Sequence, residues 1–514
     1  MSEVGDRPFL VFEGPDAAIA RFTYAEMDDL VADVAGWLDG AGVTPGSAVH
    51  LVLQNSVGFV AVWLACSRLR AWMVPSDPRA TQSELTEHLG RTMPVVGVCS
   101  PPRREVYSAA VAAAESGTQV VELDEADTEL SPLRGRPCPP GQGQPDDRLA
   151  VMFTSGTTSA PKGVDLTQAN YAFAGDVMAM AAGLNRLDRQ LVVLPLFHAN
   201  AQYYSFAAAI SVGASVALVH TFSASRFLEQ AQRLEATHAS LFAAPIRMIL
   251  RRAPDDAPRL QLRHAWFAQN LSAAQYAEIT RLLGCRPRQL YGMTETLPAV
   301  LTNPAVGGAP AAIGVPTLGC HVRVVDAEAR PVPVGEPGAI QVAGHPGVTI
   351  FRSYLDDPDT TAATIAERRP DGFVWFDTGD RATLDESGLH YFHGRRSDLL
   401  KVAGENVSVV EVEHALAEHP AVGDVAVIGV DDDVRDEVPE AYLVLKDGSG
   451  SDAVVEIERW AEARLAPAKR PRAYHVVDEL PRTSVGKIRK FLLGATPGDG
   501  PNRSEQKGDQ PCAG

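Results

Sequence analysis

Short apolar runs alternate with helical patterns from Ala48 onward, and this rhythm constrains the fold more than any other feature of the chain. The runs have the length of buried strands, and the segments between them place apolar residues at helical spacing. The strand-like runs are Val49–Leu53, Val95–Val98 and Val120–Leu123, and the helix-like segments are Phe59–Leu69 and Val106–Ala114. Because strands that alternate with helices usually pair in parallel, the pattern predicts βαβ units around a parallel sheet.

The same rhythm returns further along the chain before the composition changes. More strands of α/β layers are predicted at Leu191, Val216–Val219, Leu241–Ala244, Ala265–Phe267 and Gln289–Leu290. Beyond Gly314, frequent prolines and glycines separate short alternating strands such as His321–Val325 and Ala339–Val342, which indicates a β-rich subdomain. After residues 394–398 the pattern resets to a small α+β unit, with helices at Val410–Glu418 and Val454–Leu465 and strands near Val425–Val430 and Ala441–Leu445.

The chain is therefore expected to divide into three parts. We predict a large N-terminal α/β domain over residues 1–396, a small α+β domain over residues 397–495 and a disordered tail over residues 496–514. The length of 514 residues exceeds one ordinary core, because domains usually hold about 100 to 200 residues. The net charge of -18, without a long basic run, disfavours nucleic acid and anionic membranes as partners, so small molecules are expected.

Cysteine usage and hydropathy bear on the compartment. The six cysteines form no Cys-x-x-Cys pair, which argues against a zinc ribbon or a disulfide scaffold and favours a reducing environment. They are Cys66, Cys99, Cys138, Cys285, Cys320 and Cys512. The most apolar stretch, Phe206–Val219, is interrupted by polar and glycine residues and is too short to span a bilayer. With its acidic amino end, the protein is expected to be cytoplasmic, as a monomer or homodimer.

A hydroxyl- and glycine-rich run carries the clearest chemical signal. Residues 153–167 contain Lys162 beside hydroxyl side chains whose donors can converge on an anion. The hydroxyl residues are Thr154, Ser155, Thr157, Thr158 and Ser159, and the glycines are Gly156 and Gly163. The lysine precedes the glycine, which excludes a Walker A motif. A flexible linker is the other interpretation, but apolar residues before the run and the helical spacing of Tyr171, Val177 and Met178 after it indicate a loop between packed elements.

Four further segments offer chemistry that suits a nucleotide. Leu290–Thr296 combines an aromatic ring, a hydroxyl and a carboxylate with a glycine, and Asp377–Asp380 is an acidic turn. Residues 394–406 contain a charged turn, and residues 481–487 end in a lysine. Each segment alone is better explained as an ordinary turn. Together, five such loops predict a stacking surface, acceptors for ribose hydroxyls, a carboxylate for a metal and cations for phosphate oxygens.

In order and spacing, these five motifs resemble those of the class I adenylate-forming enzymes. This superfamily comprises acyl-CoA synthetases, adenylation domains of peptide synthetases and luciferases, and the resemblance covers residues 22–493. Residues 194–202, 270–272 and 404–408 are most similar to the crotonobetaine/carnitine-CoA ligase branch. The resemblance implies two steps: a carboxylate attacks the α-phosphate of Mg-ATP to give acyl-AMP and pyrophosphate, and the thiol of coenzyme A then displaces AMP.

The resemblance also implies roles for individual residues. The β- and γ-phosphates are expected at Thr154, Ser155, Gly156, Thr157, Thr158 and Lys162. Tyr291, beside Gly292, is expected to stack on adenine, and Thr294 is expected to bind the α-phosphate. Glu295 is expected to hold Mg²⁺, and Asp380 and Arg395 are expected to bind the ribose. Lys487 resembles the adenylation lysine that bridges the substrate carboxylate and the α-phosphate, and His198 is a further candidate catalytic residue. Such chemistry depends on charge neutralisation and in-line positioning.

In this family the small C-terminal domain rotates between the half-reactions. Ser397 occupies the hinge position, and the rotation presents the Lys401–Ser408 loop, which contains Gly404, to the thiol. Residues 268–270 depart from the Gly-Gly/Ala-Ala/Glu-Pro-type loop of many relatives, so adenine-edge contacts are not transferred there. Polar side chains at the expected acyl site predict a short or polar acid and not a long-chain fatty acid. They are His198, Asn200, Gln202, Tyr203 and Gln269.

Three functions stay open on the sequence. The first is an ATP-dependent acid–CoA ligase. The second keeps the adenylating half-reaction in a biosynthetic pathway but uses another acceptor, a carrier protein or an amine, including nitrite activation for diazo formation on an aryl amine. The third is a non-catalytic nucleotide-binding protein, against which the presence of Lys162, Glu295 and Lys487 argues.

Overall fold

The structure is a computed structural model of the chain that describes residues 4–154, 161–254, 257–402, 405–432, 435–446, 448–450, 452–482 and 488–494. These residues divide into two compact units, residues 4–396 and the described residues from 397 onward. Both units combine helices with sheets, so the mixed α/β fold class predicted from the sequence is confirmed. Within the described residues, none of the helices combines the length and apolar character that a membrane crossing requires.

The first unit contains three sheets. Its strands are β1 Pro8–Glu13, β2 Ile19–Thr23, β3 Ala48–Val52, β4 Trp72–Pro75, β5 Val96–Cys99, β6 Gln119–Glu122, β7 Arg148–Thr154, β8 Lys162–Thr167, β9 Arg189–Val192, β10 Ser215–Val219, β11 His238–Phe242, β12 His264–Ala268, β13 Arg288–Tyr291, β14 Leu301–Thr302, β15 Val315–Pro316, β16 His321–Val325, β17 Gly338–Gly344, β18 Ser353–Tyr354, β19 Ile365–Arg368, β20 Val374–Leu384 and β21 His390–Arg395.

Helices cover these sheets. They are α1 Tyr24–Gly40, α2 Val57–Leu69, α3 Gln82–Thr92, α4 Arg104–Ala113, α5 Gln168–Ala182, α6 Ala208–Val212, α7 Phe227–Arg233, α8 Ala243–Arg252, α9 Ala273–Leu283 and α10 Pro358–Ala363. A π-helical segment, Asn200–Ala207, leads directly into α6. Helix α2 is apolar on nearly all sides, because it lies within the main core and not at the surface.

The two larger sheets are parallel in their centres; the nine-stranded sheet has antiparallel strands at both edges, and the seven-stranded sheet has them only at the β18 edge. The seven-stranded sheet has the order β18-β8-β7-β4-β3-β5-β6, and the nine-stranded sheet has the order β15-β14-β13-β12-β11-β9-β10-β1-β2. The third sheet is antiparallel, with the order β16-β17-β20-β19 and with β21 also paired to β20. Buried residues of all three sheets, among them Val49, Leu218 and Val342, belong to one continuous core.

The second unit is a small α+β structure. Its strands are β22 Leu399–Val402, β23 Glu405–Ser408, β24 Val422–Asp432, β25 Asp436–Leu445 and β26 Ala473–Val476, and its helices are α11 Val409–Ala417 and α12 Ala453–Arg464. The sheet order is β23-β22-β25-β24, and β26 adds to β25 in parallel. Apolar residues of α11, α12 and the central strands form a separate core, which includes Val412, Val427 and Ile457.

The sequence-based elements agree with the structure apart from two local differences. The strand predicted at Leu241–Ala244 ends at Phe242, because Ala243 already begins α8. Residues 162–167, predicted as part of a loop, form β8 against β7, and the predicted helix follows as α5 from Gln168. The predicted tail over residues 496–514 lies outside the described residues.

Candidate functional site

Strands β7 and β8 hold the two ends of the predicted phosphate loop. They pair antiparallel with Thr154 opposite Lys162, and the Thr154 hydroxyl donates to the Lys162 carbonyl oxygen at 3.4 Å. The structure therefore places the first hydroxyl and the lysine of the motif side by side. The other predicted phosphate contacts of this motif lie outside the described residues: Ser155, Gly156, Thr157 and Thr158.

Lys162 and Glu295 both contact Tyr354. The Lys162 ammonium lies 5.0 Å from the centroid of the Tyr354 ring, within reach of a cation–π interaction. The Tyr354 hydroxyl donates to Glu295 Oε1 at 3.0 Å. Strand β18 brings the tyrosine there, because it pairs with β8 and sets Tyr354 opposite Val164. The Lys162–Tyr354–Glu295 cluster thus joins the predicted phosphate-binding cation to the predicted metal-binding carboxylate.

The buried environment of Glu295 suits a carboxylate that binds a cation. The side chain is 4% exposed, and burial raises the pKa of Glu295 above its usual range. A hydrogen bond from its own backbone, the Tyr354 hydroxyl and the charges of Arg395 and Lys162 act in the opposite direction. Within the described residues, no group of three or more His, Cys, Asp or Glu side chains could hold a metal. One carboxylate fits Mg²⁺, which usually takes one or two protein carboxylates and keeps water and phosphate oxygens as its other ligands.

Tyr291, Asp380 and Arg395 form a second cluster. The Tyr291 hydroxyl donates to Asp380 Oδ2 at 2.7 Å, and Arg395 Nε lies 3.2 Å from Asp380 Oδ1. Asp380 and Arg395 face each other across the antiparallel pair β20–β21. Burial, followed by the nearby Asp380 charge, raises the pKa of Tyr291 well above its usual value, so its hydroxyl stays a donor. The two predicted ribose-binding residues and the predicted adenine-stacking residue are therefore in direct contact.

The carboxyl ends of three parallel strands bring further predicted residues to one edge of the nine-stranded sheet. Strand β9 leads to the segment containing His198, β12 leads to Gln269, and β13 ends at Tyr291. Ligands of open α/β sheets bind in crevices outside such carboxyl ends. The Gln289 amide Nε2, on β13, donates to the Gln269 carbonyl oxygen at 3.1 Å and fixes the loop after β12.

The backbone around this edge is constrained. Leu297, two residues after Glu295, is fully buried with φ 67°, and Gln269 has φ 71°. Residues other than glycine rarely adopt such left-handed conformations, and they concentrate at functional sites. Gly292 has no room for a side chain, because a Cβ there would lie 2.8 Å from the Tyr204 hydroxyl. Thr294 is half-buried between these constrained positions.

The predicted acyl-site residues fall largely on the π-helical segment. Gln202 is fully buried and fully paired: it accepts from the Tyr171 hydroxyl at 2.5 Å and donates to the Leu196 carbonyl oxygen at 2.6 Å. The buried Tyr203 hydroxyl lies 3.7 Å from Met152 Sδ. His198 is half-buried beside Phe197, with ring centroids 4.4 Å apart. Segments of π-helix are rare and occur frequently at functional sites.

Asn200 differs from its neighbours on this segment. The residue is 5% exposed, and neither amide atom, Oδ1 or Nδ2, has a hydrogen-bond partner among the described residues. Buried polar groups in folded proteins are almost always hydrogen-bonded, and the exceptions call for an explanation such as a ligand. Asn200 therefore carries hydrogen-bonding capacity that the described part of the chain leaves unused.

Of the three predicted site residues of the second unit, the structure describes one. Lys401 lies on β22 with an exposed side chain, and its backbone N–H donates to Glu437 Oε2 at 2.7 Å. Gly404 and Lys487 lie outside the described residues. Before Lys487, Arg482 pairs in a short antiparallel bridge with Ile488, which follows the lysine.

Sequence reasoning missed one residue of the site completely. Tyr354 links Lys162 to Glu295, yet it belongs to none of the five sequence motifs. The only available signal was a hydroxyl-bearing aromatic residue between acidic and basic side chains, which is too common to mark a site.

Comparisons with known proteins identify the family of the chain. The AMP-binding enzyme family matches residues 2–355, and the AMP-binding enzyme C-terminal domain matches residues 411–487. Crotonobetaine/carnitine–CoA ligase of Salmonella paratyphi C is 32% identical over an alignment of 509 residues that covers 95% of this chain and 96% of that protein.

Solved structures with similar folds include a CoA ligase and an ATP-bound enzyme. The anthranilate CoA ligase AuaEII in complex with anthranoyl-AMP has a TM-score of 0.86 at 25% identity, covering 96% of this chain and 94% of that one. ATP-bound MatB from Rhodopseudomonas palustris has a TM-score of 0.83 at 27% identity, covering 95% of this chain and 96% of that one.

Fold and family matches together define an AMP-binding enzyme with a mixed α/β architecture. The chain belongs to the AMP-binding enzyme family and is an AMP-forming ligase of the acyl-CoA synthetase type. The resemblance drawn from the five sequence motifs is thereby confirmed.

Proposed function

We propose that the protein is an ATP-dependent acid–CoA ligase that activates a small or polar carboxylate as an acyl-adenylate and transfers the acyl group to the thiol of coenzyme A. One observation carries this proposal. The first unit gathers a lysine and a buried carboxylate around Tyr354, and it gathers an aspartate and an arginine around Tyr291. The first cluster has the chemistry for a polyphosphate with its cation, and the second has the chemistry for a ribose.

The first half-reaction follows from these groups. Thr154 and Lys162 would hold the outer phosphates, Thr294 the α-phosphate, and Asp380 with Arg395 the ribose hydroxyls. Mg²⁺, held by Glu295, would neutralise phosphate charge when bound. The substrate carboxylate then attacks the α-phosphorus, and pyrophosphate leaves. Lys487 would stabilise the charge that develops between the carboxylate and the phosphate, a contribution that is large in such reactions.

Ribose binding would exploit the existing Tyr291–Asp380 hydrogen bond. Because the Tyr291 hydroxyl bonds Oδ2 of Asp380 and Arg395 Nε lies 3.2 Å from Oδ1, both carboxylate oxygens are held in place before a ligand binds. A carboxylate can accept several hydrogen bonds at once, so Tyr291 can fix its orientation while vicinal hydroxyls donate to it. This fixed orientation reduces the entropy lost when the nucleotide binds.

The acid is proposed to be short or polar because of Asn200. A long aliphatic chain would leave both buried amide atoms without partners, whereas a polar group on the acid can pair with them. The neighbouring Gln202 amide is already used inside the protein, which leaves Asn200 as the residue of this segment that a substrate can satisfy.

The acceptor decides between the ligase and its alternative. Transfer to coenzyme A is the first candidate, and Lys401 and Gly404 would serve that second half-reaction. The nucleotide cluster constrains only the first half-reaction, so an adenylating enzyme with a carrier-protein or amine acceptor would carry the same cluster.

A panel assay tests the proposal. The purified protein is incubated with Mg-ATP, single carboxylic acids of graded length and polarity, or nitrite, each with and without coenzyme A. AMP and pyrophosphate are expected with short or polar acids, and a thioester is expected only when coenzyme A is present. Release of ADP and orthophosphate, or no reaction of ATP with any acid, would contradict the proposal, and adenylate formation from nitrite would favour the alternative.

A further inference from the structure

Helix α3 contacts residues on both sides of the predicted phosphate loop. The helix begins after Thr81, which forms a reciprocal capping box with Glu84. In its last turn, Arg91 Nη1 donates to the Pro161 carbonyl oxygen at 2.5 Å, and Nη2 donates to the Leu355 carbonyl oxygen at 3.1 Å. One guanidinium therefore bonds two backbone segments that are far apart in the sequence.

Each of these contacts lies next to a residue of the Lys162–Tyr354–Glu295 cluster. Pro161 precedes Lys162, and Leu355 follows Tyr354, the tyrosine that donates to Glu295. Bonding the two carbonyl groups to one rigid fork thus fixes the distance between the segment of the lysine and the segment of the tyrosine.

The same helix also contacts the strand on the other side of the loop. The Arg91 guanidinium carbon lies 5.1 Å from the centroid of the Phe153 ring, and the His88 ring stacks on Phe153 with centroids 4.0 Å apart and planes 7° apart. Phe153 precedes Thr154 on β7. Helix α3 therefore reaches the strands on both sides of the loop.

A buried hydrogen-bond chain holds His88 in place. Its Nδ1 lies 2.8 Å from the Ser76 hydroxyl, which lies 2.8 Å from His50 Nε2, and His50 Nδ1 lies 2.9 Å from the Tyr107 hydroxyl. Burial lowers the pKa of His88 to about 4, so the ring is neutral near pH 7 and does not repel the neighbouring Arg91.

We infer that Arg91 is a positioning residue for ATP: through the carbonyl groups next to Lys162 and Tyr354, it sets the place of Lys162 and, through Tyr354, of Glu295. The inference rests on the proposed function, because it needs Lys162 and Glu295 to act on the polyphosphate and its cation. Arginine suits the task because its planar fork serves two acceptors at fixed geometry, whereas lysine offers a single ammonium group.

Steady-state kinetics of Arg91→Gln and Arg91→Lys test this role. Displacement of catalytic groups by a fraction of an ångström to 1 Å can cost up to about 100-fold, so kcat/KM for ATP is expected to fall roughly 10- to 100-fold in Arg91→Gln. The KM for the acid should stay at the wild-type value, and the half-saturating Mg²⁺ concentration should rise. Arg91→Lys keeps the charge and one hydrogen bond, so it should fold well. Its kcat/KM for ATP should lie between those of the wild type and Arg91→Gln.

Arg189→Gln is the matched control. Arg189 is also partly buried and also bonds a backbone carbonyl, that of Leu234 at 2.9 Å, together with the Ser215 hydroxyl at 3.0 Å. It lies at the start of β9, at the amino end of the strand. Both Gln variants should lose thermal stability, but only the Arg91 variants should change the ATP and Mg²⁺ dependence.

The outcomes separate the two proposals. If Arg91→Gln and Arg91→Lys keep the wild-type KM for ATP and the wild-type Mg²⁺ dependence in an enzyme that releases AMP, Arg91 is only structural and the inference is wrong. If the wild-type protein itself releases no AMP and pyrophosphate, the proposed function fails first. Equal changes in the KM for ATP in the Arg91 and Arg189 variants would also overturn the inference, because they would indicate general destabilisation.

Discussion

The substitution Asn200→Leu should stabilise the protein and at the same time impair its use of polar acids. Asn200 is 5% exposed, and both of its amide atoms lack partners among the described residues. A buried polar group without a partner costs about 1–3 kcal/mol, so two such atoms cost at least about 2 kcal/mol. Leucine has a similar volume and no polar atoms. We therefore expect the free energy of unfolding to rise by about 2 kcal/mol, measured by urea denaturation without ligand.

The matched control is Gln202→Leu on the same π-helical segment. There the amide is paired with the Tyr171 hydroxyl and the Leu196 carbonyl oxygen, and leucine would leave both of these buried groups unpaired. The free energy of unfolding should fall by about 2 kcal/mol or more, opposite in sign to Asn200→Leu. Two substitutions of the same chemical kind thus give opposite results if the hydrogen bonding described above is correct.

Activity completes the test of Asn200. If its amide binds the polar group of the acid, Asn200→Leu should lose roughly tenfold in kcat/KM for the best polar acid, since one net hydrogen bond is worth about 1 kcal/mol or more. An apolar acid of equal size should be used at least as well as by the wild type. A loss of stability in Asn200→Leu would refute the reasoning, because it would show that the amide is paired in the free protein. A gain of stability with unchanged acid preference would refute its role in binding.

Three further substitutions test the nucleotide cluster and the adenylation lysine. Glu295→Gln should lower kcat/KM for ATP roughly 100-fold. Burial raises the pKa of the Glu295 carboxyl in the folded protein above its pKa in the unfolded chain. The wild type therefore loses stability as the pH rises from the unfolded-state pKa through the folded-state pKa. Glu295→Gln should not show this loss when the free energy of unfolding is measured by urea denaturation at several pH values. Asp380→Asn should raise the KM for ATP about tenfold, with Asp371→Asn, an exposed aspartate, as its unaffected control. Lys487→Ala should lower acyl-AMP formation roughly 1,000-fold while thioester formation from supplied acyl-AMP is much less affected, and equal loss in both would contradict its assigned role.

The fold could be predicted from the sequence where apolar periodicity was strong. Residues 120–123 and 321–325 were recognised as strands because their apolar residues stand between clear turn signals. The strand β8 was missed because its apolar residues Val164 and Leu166 lie between glycine, aspartate and threonine in a run dominated by hydroxyl groups. Its pairing with β7 is a tertiary contact, and local pattern carries little information about such contacts.

The resemblance implies nucleotide-binding roles for Lys162, Glu295 and Asp380, and these roles stay predictions. The structure adds the contacts of these residues, which lie in two clusters of the first unit. The residues that hold these groups, Tyr354 and Arg91, could not be found, because they act through a hydroxyl and two backbone carbonyl contacts that depend on the folded geometry. The lack of hydrogen-bond partners for the Asn200 amide among the described residues likewise cannot be predicted from the sequence.

The antiparallel register of β7 and β8 has a consequence for the engineering of this enzyme. Since Thr154 and Lys162 are tied as cross-strand neighbours, the residues that join them can be exchanged as a cassette without shifting the rest of the sheet. A segment from a relative can therefore be grafted between these two positions with both of its ends held by the sheet, and its effect on the KM for ATP would test the proposed role of this loop.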